Sequence, residues 1–221
     1  MGGVIFDFNG TMFFDEAFQE MSWRKFVSQK IGRAITDEEF QTYIHGRNTD
    51  VSLPYFLNRP LSRQEIETLE EEKEQIYRDL CLKSDDFRLA DGLIDLLDRL
   101  KQMGVPMTIA TASGWNNVKF FFDHLDLDRW FDLDRVVYND GTIPGKPEPD
   151  LYLLAAAKLQ VDIHDCVVFE DSVSGIESAK RAGAGKIIQV DSMKHSNISR
   201  SVTGVIQDYR RIDTILSYIT H

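Results

Sequence analysis

The 221-residue chain has little of several features that mark special classes of protein. Two cysteines exclude a disulfide-built scaffold and fit a reducing compartment such as the cytoplasm. The chain also has no visible internal repeat and no low-complexity linker. The longest apolar run, residues 151–157, is too short to span a bilayer, and the first residues lack the basic stretch and apolar run of a secretory signal. We therefore expect a globular cytoplasmic protein that does not enter a membrane.

The chain also has fewer positively charged residues than negatively charged ones. The chain has 25 Lys and Arg against 36 Asp and Glu, which gives a formal net charge of −11. Nucleic acid and anionic membranes would be repelled at long range, so neither is expected as a partner. A small anionic substrate would need local positive groups. No large exposed apolar stripe in the sequence requires a second copy, so we expect a monomer.

An apolar run near the start of the chain ends in an acidic residue. Val4–Phe6 has the apolar and β-branched composition of a buried strand, Asp7 follows it, and Asn9-Gly10 is typical of a turn. In open α/β sheets, ligands bind outside the carboxyl ends of the strands. The pattern therefore places Asp7 where chemistry is expected, although a strand-end Asp can also be an ordinary turn residue.

A second strand of the same kind occurs far downstream. Cys166–Phe169 is apolar and runs into Glu170 and Asp171. If the two strands are parallel neighbours, Asp7 and Asp171 converge with Glu170 nearby. Such a set of hard oxygen ligands suits Mg²⁺. The alternative is that the acidic pair caps the helix predicted to follow it.

The chain is organised as a helical insertion within an α/β domain. Residues 15–86 contain amphipathic helical patterns and two capping-box signatures, which begin at Thr36 and Ser62. From Asp91 onward, predicted helices alternate with predicted strands, including a short strand at Val136–Tyr138. This alternation predicts a doubly wound parallel sheet. We predict an α/β core of residues 1–14 and 87–221, with residues 15–86 as an inserted helical domain above the carboxyl ends of the strands.

Two further polar residues stand at or beyond predicted strand ends, namely Thr111 and Lys146. Thr111 could be a helix N-cap and Lys146 a solvent-exposed lysine. Together with Asp7 they also fit phosphoryl transfer, in which a carboxylate attacks phosphorus while a metal and a cation offset the charge. Lys146 would supply the cation and Thr111 a neutral donor, while backbone N–H groups of residues 8–10 could complete a phosphate cradle.

These motifs, in this order, resemble those of the haloacid dehalogenase (HAD) superfamily. The sequence is similar to the branch of phosphatases with a helical cap that also contains β-phosphoglucomutase. The matching motifs are Asp7-Phe8-Asn9-Gly10-Thr11, Thr111-Ala112-Ser113, Lys146-Pro147-Glu148-Pro149-Asp150 and Glu170-Asp171-Ser172. The resemblance covers nearly the whole chain and implies a Rossmann-like core with an α-helical cap.

The resemblance also implies a role for each matching residue. Asp7 would be the nucleophile, and phosphate would be bound by Thr111, Ala112 and Lys146. Mg²⁺ would be held by Asp7, the backbone carbonyl of Asn9 and Asp171, with Glu170 assisting. The residues that would face the substrate are Gln19, Ser113 and Arg47, the last within His45-Gly46-Arg47-Asn48-Thr49.

Two residues depart from the family pattern. Asn9 stands where the family carries an Asp that protonates the leaving group and later activates water. An amide cannot exchange protons near neutral pH, so a contribution of roughly 10²- to 10⁴-fold would be missing. The enzyme could be slow, could favour leaving groups that need little protonation, or could be an Asp→Asn variant made to trap a bound state. Gln19 stands where the mutase branch has a titratable histidine, which disfavours a mutase.

We therefore predict a Mg²⁺-dependent phosphoric monoester hydrolase that acts on a small phosphorylated metabolite, such as a sugar phosphate, through an aspartyl-phosphate. The alternatives are a β-phosphoglucomutase-type isomerase and a catalytically silent HAD-fold binding or regulatory protein that has lost turnover through Asn9.

The five histidines lack metal-ligand spacing, so no zinc site is expected: His45, His124, His164, His195 and His221.

Overall fold

The computed structural model of the protein describes residues 2–45, 47, 49–192 and 199–220. One sheet contains the strands β1 (Val4–Phe6), β2 (Met107–Ile109), β3 (Val167–Glu170), β4 (Lys186–Val190) and β5 (Gly204–Ile206). The α-helices of this part of the chain are α1 (Glu16–Ile31), α2 (Asp37–Tyr43), α3 (Thr49–Leu57), α4 (Arg63–Cys81), α5 (Leu93–Gln102), α6 (Trp115–His124), α7 (Asp150–Leu159), α8 (Val173–Ala182) and α9 (Ile212–Thr220). Single turns of 3₁₀ helix lie at Leu127–Arg129, Leu133–Arg135 and Ile163–Asp165.

The sheet is parallel throughout, with the strand order β2-β1-β3-β4-β5. Phe6, the last residue of β1, pairs with Ile109 of β2 and with Phe169 of β3. The chain moves from β1 to β2 on one side and then crosses to β3 on the other, so the strand order reverses between β1 and β3. Ligands bind at such a switch point in open α/β sheets. The predicted doubly wound α/β fold is confirmed.

Apolar side chains bury the two interior strands β1 and β3. All residues of β1 are fully buried, as are Val168 and Phe169 of β3, and the rings of Phe6 and Phe169 stack with centroids 4.9 Å apart. These strands are buried on both faces, which is why they read as continuous apolar runs rather than as an alternating pattern. Their polar residues are therefore confined to the strand ends.

The chain divides into two compact units. One contains Met1–Phe14 and Arg88–His221, which we call the core unit, and the other contains Asp15–Phe87, which we call the helical unit. The core unit holds the sheet. The helical unit holds α1 to α4 and has its own apolar cluster of Phe26, Val27, Ile35, Phe40, Ile44 and Leu53. Both capping boxes predicted from the sequence form, at Thr36 with Glu39 and at Ser62 with Glu65.

Two local predictions need correction. Val136–Tyr138 does not form a strand: in the described residues Val137 makes only an isolated bridge to Ala110, because Asn139-Asp140-Gly141 turns the chain immediately afterwards. Helix α3 was not predicted. It contains Pro54, which lowers helix propensity, but Leu53 is 1% exposed, so burial within the apolar cluster of the helical unit decides the local structure.

No helix in the described ranges combines the length and apolar character needed to cross a membrane.

Candidate active site

Asp7 lies at the end of β1 and is 5% exposed. Its backbone N–H donates to the carbonyl of Phe169 at 2.9 Å, which ties the first loop to the end of β3. The loop turns at Gly10, whose φ is 75°, and a Cβ at Gly10 would lie 2.2 Å from Oδ2 of Asp171. Both the dihedral angle and the close approach require glycine. This glycine lets the turn after Asp7 lie directly against Asp171.

Three carboxylates converge at the ends of β1 and β3. Asp7, Glu170 and Asp171 each place an oxygen so that the three atoms lie within 4.8 Å of one another. Glu170 is fully buried, and Thr11 Oγ1 donates to Asp171 Oδ1 at 3.2 Å. The structure thus brings together residues that are 164 positions apart in sequence, as the two strand-end motifs predicted. Three carboxylates at this spacing form a donor set that can hold a divalent cation.

Lys146 reaches into this cluster from the loop that precedes α7. Its Nζ donates to Asp7 Oδ1 at 2.6 Å and to Glu170 Oε1. Burial opposes the charge of Lys146, but the two carboxylates outweigh burial and hold its pKa well above the usual range. Burial also raises the pKa of Asp7 to about 7, with Lys146 acting in the opposite direction and Glu170 adding to the rise. Lys146 offsets only one of the converging negative charges, so the site still favours a cation.

Glu170 is held in place by Tyr152 and Ser172, for which the sequence patterns indicate no role at the site. The hydroxyl of Tyr152, which is fully buried, donates to Glu170 Oε1 at 3.0 Å. The backbone N–H of Ser172 donates to Oε2 at 2.7 Å and its hydroxyl donates at 3.0 Å. Ser172 also caps α8 by accepting from the backbone N–H of Gly175 at 3.0 Å, so the cap is Ser172 rather than the acidic pair. The position of Tyr152 in the sequence gives no indication that its hydroxyl contacts Glu170.

The loop after β2 forms the other wall of the site. Thr111 is buried and its hydroxyl accepts from the backbone N–H of Ser113 at 3.1 Å, while the N-cap of α6 is Gly114. The hydroxyl of Ser113 donates to Asn9 Oδ1 at 2.8 Å. Ala112, between them, is exposed. The Thr111–Ser113 motif is therefore joined to the first loop at Asn9, and its role in phosphate binding remains a prediction.

The two substrate-facing residues predicted in the helical unit line one cleft of that unit. The cleft has a volume of about 210 Å³ and is lined by Glu16, Gln19, Glu20, Trp23, Phe40, Gln41, Ile44, His45 and Arg47. Gly46 and Asn48, which flank Arg47 in the predicted substrate loop, lie outside the described residues. His195 and His221 lie outside them as well. The roles of Gln19 and Arg47 remain predictions.

Gln19 belongs to a polar network that the sequence patterns do not predict. Its Nε2 donates to Asp15 Oδ2 at 3.0 Å, and its Oε1 accepts from Lys73 Nζ at 3.1 Å. The hydroxyl of Tyr77 donates to the same Asp15 oxygen at 2.8 Å. The i, i+4 spacing of Lys73 and Tyr77 within a charged helix could have indicated a shared buried face. Asp15, Lys73 and Tyr77 are all buried, so α1 and α4 meet through polar groups here.

Comparison with known proteins identifies the family. A family model described as haloacid dehalogenase-like hydrolase matches residues 1–183. The chain is 30% identical over 194 residues to a phosphorylated carbohydrates phosphatase of Thermotoga maritima, an alignment that covers 86% of this chain and 85% of the relative.

Solved structures give the same result. A HAD hydrolase of family IA, variant 3, from Entamoeba histolytica superposes with a TM-score of 0.92 at 37% identity and covers 100% of both chains. A putative beta-phosphoglucomutase from Thermotoga maritima superposes with a TM-score of 0.75 at 26% identity, covering 99% of this chain and 100% of the other. The family predicted from the motifs is confirmed: this chain belongs to the haloacid dehalogenase-like hydrolases.

Proposed function

We propose that the chain is a Mg²⁺-dependent phosphatase, a phosphoric monoester hydrolase that acts on a small phosphorylated metabolite by way of an aspartyl-phosphate on Asp7. The observation that carries this proposal is the cluster at the switch point, where the Asp7 carboxylate contacts Lys146 and lies beside Glu170 and Asp171. The named activity of the Thermotoga relative, a phosphatase of phosphorylated carbohydrates, supports a sugar phosphate as the substrate.

The donor set of the cluster fits Mg²⁺, because carboxylate oxygens are its preferred protein ligands. Asp7 and Asp171, with Glu170 assisting and the backbone carbonyl of Asn9 completing the set, would hold the ion. When bound, Mg²⁺ supplies positive charge that stabilises the transferring phosphoryl group.

The reaction proceeds in two displacements at phosphorus. An oxygen of Asp7 bonds to phosphorus, the bond from phosphorus to the leaving oxygen breaks, and the electron pair leaves with that oxygen. Water then bonds to phosphorus and the bond to Asp7 breaks, while a proton of the water passes to the product phosphate. Lys146 offsets the charge on the phosphoryl oxygens, and the hydroxyl of Thr111 donates to one of them.

The experiment is phosphate release from a panel of sugar phosphates and other phosphomonoesters, with and without Mg²⁺. We expect release that requires Mg²⁺ and is lost in Asp7→Asn, which keeps the size of the side chain but removes the nucleophile. Exposed Asp37→Asn, in the helical unit, is the matched control and should retain activity. Release that persists in Asp7→Asn would contradict the proposal.

A silent binding protein is the second candidate, and the amide at Asn9 favours it. It would bind Mg²⁺ and a phosphorylated ligand without turnover of any substrate in the panel. The mutase alternative lacks a comparable observation, because Gln19 is held by Asp15 and Lys73 and has no titratable group.

A further inference from the structure

Tyr209 lies outside the motifs of the site and is fully buried. It follows the edge strand β5, so it comes from the same carboxyl edge of the sheet as Asp7 and Asp171. Its hydroxyl donates to the backbone carbonyl of Thr11 at 3.2 Å, and its ring lies tilted against that of Phe169 with centroids 5.9 Å apart. A tyrosine at the end of an edge strand thus reaches the first loop of the site.

The loop that carries Tyr209 is itself fixed to the core unit. The backbone N–H of Tyr209 donates to the carbonyl of Asp91 at 2.9 Å. Gly92 has a φ of 81°, and a Cβ there would lie 2.5 Å from the backbone nitrogen of Arg210, so this close approach requires glycine. Within the loop, Nε of Arg210 donates to Oδ2 of Asp208 at 2.9 Å. These contacts give the side chain of Tyr209 a defined position.

Thr11 joins Tyr209 to the acidic cluster. Thr11 is fully buried, its carbonyl accepts from Tyr209, and its Oγ1 donates to Asp171 Oδ1 at 3.2 Å. The turn around it is closed by the carbonyl of Phe8, which accepts from the backbone N–H groups of residues 11–13 at 2.8–3.2 Å. A shift of the Thr11 backbone would therefore move the hydroxyl that holds Asp171.

The contact between Tyr209 and Thr11 allows two roles. Burial raises the pKa of Tyr209 well above its usual range, and the charges of Asp171 and Asp7 add to the rise, so the hydroxyl remains a donor. A buried carbonyl that loses its donor costs about 1–3 kcal/mol, so the contact contributes to stability. A purely structural role predicts a loss of stability alone. A path through Thr11 predicts, in addition, a change at Asp171.

Building on the proposed function, in which Asp171 is a ligand of Mg²⁺, we propose that Tyr209 is a positioning residue for this ligand. Its hydroxyl fixes the backbone of Thr11, and Thr11 orients the carboxylate of Asp171 for the ion. Hydrogen-bond partners orient the ligands of a metal, and losing such a partner typically lowers metal affinity by about 10- to 100-fold. Tyr209 acts one contact further away, so its removal should have a smaller effect.

The test is calorimetric titration of the substrate-free protein with Mg²⁺ at pH 8, above the pKa of about 7 of Asp7. We expect Thr11→Val to weaken Mg²⁺ binding by about 10- to 100-fold and Tyr209→Phe, which keeps the ring, by about 3- to 10-fold. Because Tyr209 acts through Thr11, adding Tyr209→Phe to Thr11→Val should weaken binding no further. Saturating Mg²⁺ should restore most of the phosphate release by Tyr209→Phe.

Tyr77→Phe is the matched control, since it also removes a buried hydroxyl that donates a hydrogen bond, but in the helical unit. It should lower stability and leave Mg²⁺ binding unchanged.

Four results would overturn the inference. Unchanged Mg²⁺ binding in Tyr209→Phe would show that the hydroxyl only stabilises the fold. A further loss of affinity in the double variant would show that Tyr209 does not act through Thr11. Failure of Tyr209→Phe to fold would show that the whole core unit, rather than Asp171, depends on the hydroxyl. If the unaltered chain binds no Mg²⁺, the proposed function fails as well, and this result is distinguishable from the other three.

Discussion

Among the residues that the structure describes, each unit buries one lysine side chain among acidic or amide groups, but the surroundings of the two lysines differ. The side chains of Lys146 and Lys73 are 7% and 5% exposed. Lys146 contacts two carboxylates directly, and a third lies within reach, so the core unit concentrates negative charge around one cation. Lys73 pairs with Glu74 at 2.5 Å and donates to the side-chain carbonyl of Gln19. Asp15 accepts from the amide of Gln19 and the hydroxyl of Tyr77. The network around Lys73 sets one lysine against two carboxylates, Glu74 and Asp15. The core cluster sets one lysine against three, and we associate this larger shortage of positive charge with function.

The largest expected difference between the units comes from removing each lysine. Lys146→Met leaves converging carboxylates without their cation, so we expect a loss of about 3–5 kcal/mol in the free energy of unfolding and of at least about 10²- to 10³-fold in activity. Lys73→Met should cost about 1–3 kcal/mol, because Gln19 and Glu74 lose a partner, without a comparable loss of activity per folded molecule. Thermal unfolding measures the loss of stability, and phosphate release measures the loss of activity. Equal losses of activity would contradict the distinction between the two networks.

The second test uses the pKa of Asp7, which is raised from 3.8 to about 7 in the folded chain. Between these values the folded state binds more protons than the unfolded state, so Asp7 stabilises the metal-free protein at low pH and this stabilisation is lost as the pH rises through about 7. Mg²⁺ requires the carboxylate form. We therefore expect the increase in Tm caused by Mg²⁺ to be larger at pH 8 than at pH 5.5. An increase that is independent of pH would mean that the ion does not bind at Asp7.

A matched pair of tyrosines gives a smaller effect. Tyr152 and Tyr77 are both fully buried, and each donates to a carboxylate, at 3.0 Å to Glu170 and at 2.8 Å to Asp15. Each Tyr→Phe substitution should lower the free energy of unfolding by about 1–3 kcal/mol. Only Tyr152→Phe should also lower kcat, because Glu170 positions Lys146. A loss of kcat in Tyr77→Phe equal to that in Tyr152→Phe would show that Tyr152 has no special role.

The smallest effect is expected from a pair of serines. Ser113 donates to Asn9 Oδ1 and Ser22 donates to the carbonyl of Gln19, both at 2.8 Å. Each Ser→Ala substitution should cost about 0.5–1.5 kcal/mol of stability. Ser113→Ala should in addition change kcat/KM by a few-fold, since about 1 kcal/mol in the activation free energy is roughly a fivefold change in rate. An unchanged kcat/KM in Ser113→Ala would show that Asn9 does not take part in the reaction.

The sequence predicted the fold and the convergence of Asp7, Glu170 and Asp171 because both depend on local patterns. Apolar runs that end in Asp7 or Glu170 mark strand ends, and parallel strands bring those ends to one edge of the sheet. Tyr152 was missed because it lies within the apolar pattern of α7, where a tyrosine is expected to be a core residue. Helix α3 and the contact of Lys73 with Gln19 were missed for a different reason. They depend on packing between segments that are distant in the sequence, and local propensity does not report such packing.

The measurement that most directly tests the central claim is the site of phosphorylation during turnover. The protein would be mixed with acetyl phosphate and Mg²⁺, quenched in acid and analysed by peptide mass spectrometry, with Asp7→Asn as the control. We predict one phosphoryl group on the peptide that contains Asp7, sensitive to hydroxylamine and absent from Asp7→Asn. Phosphate release during which no phosphoryl group is found on that peptide, or one found on another residue, would contradict the assignment of Asp7 as the nucleophile.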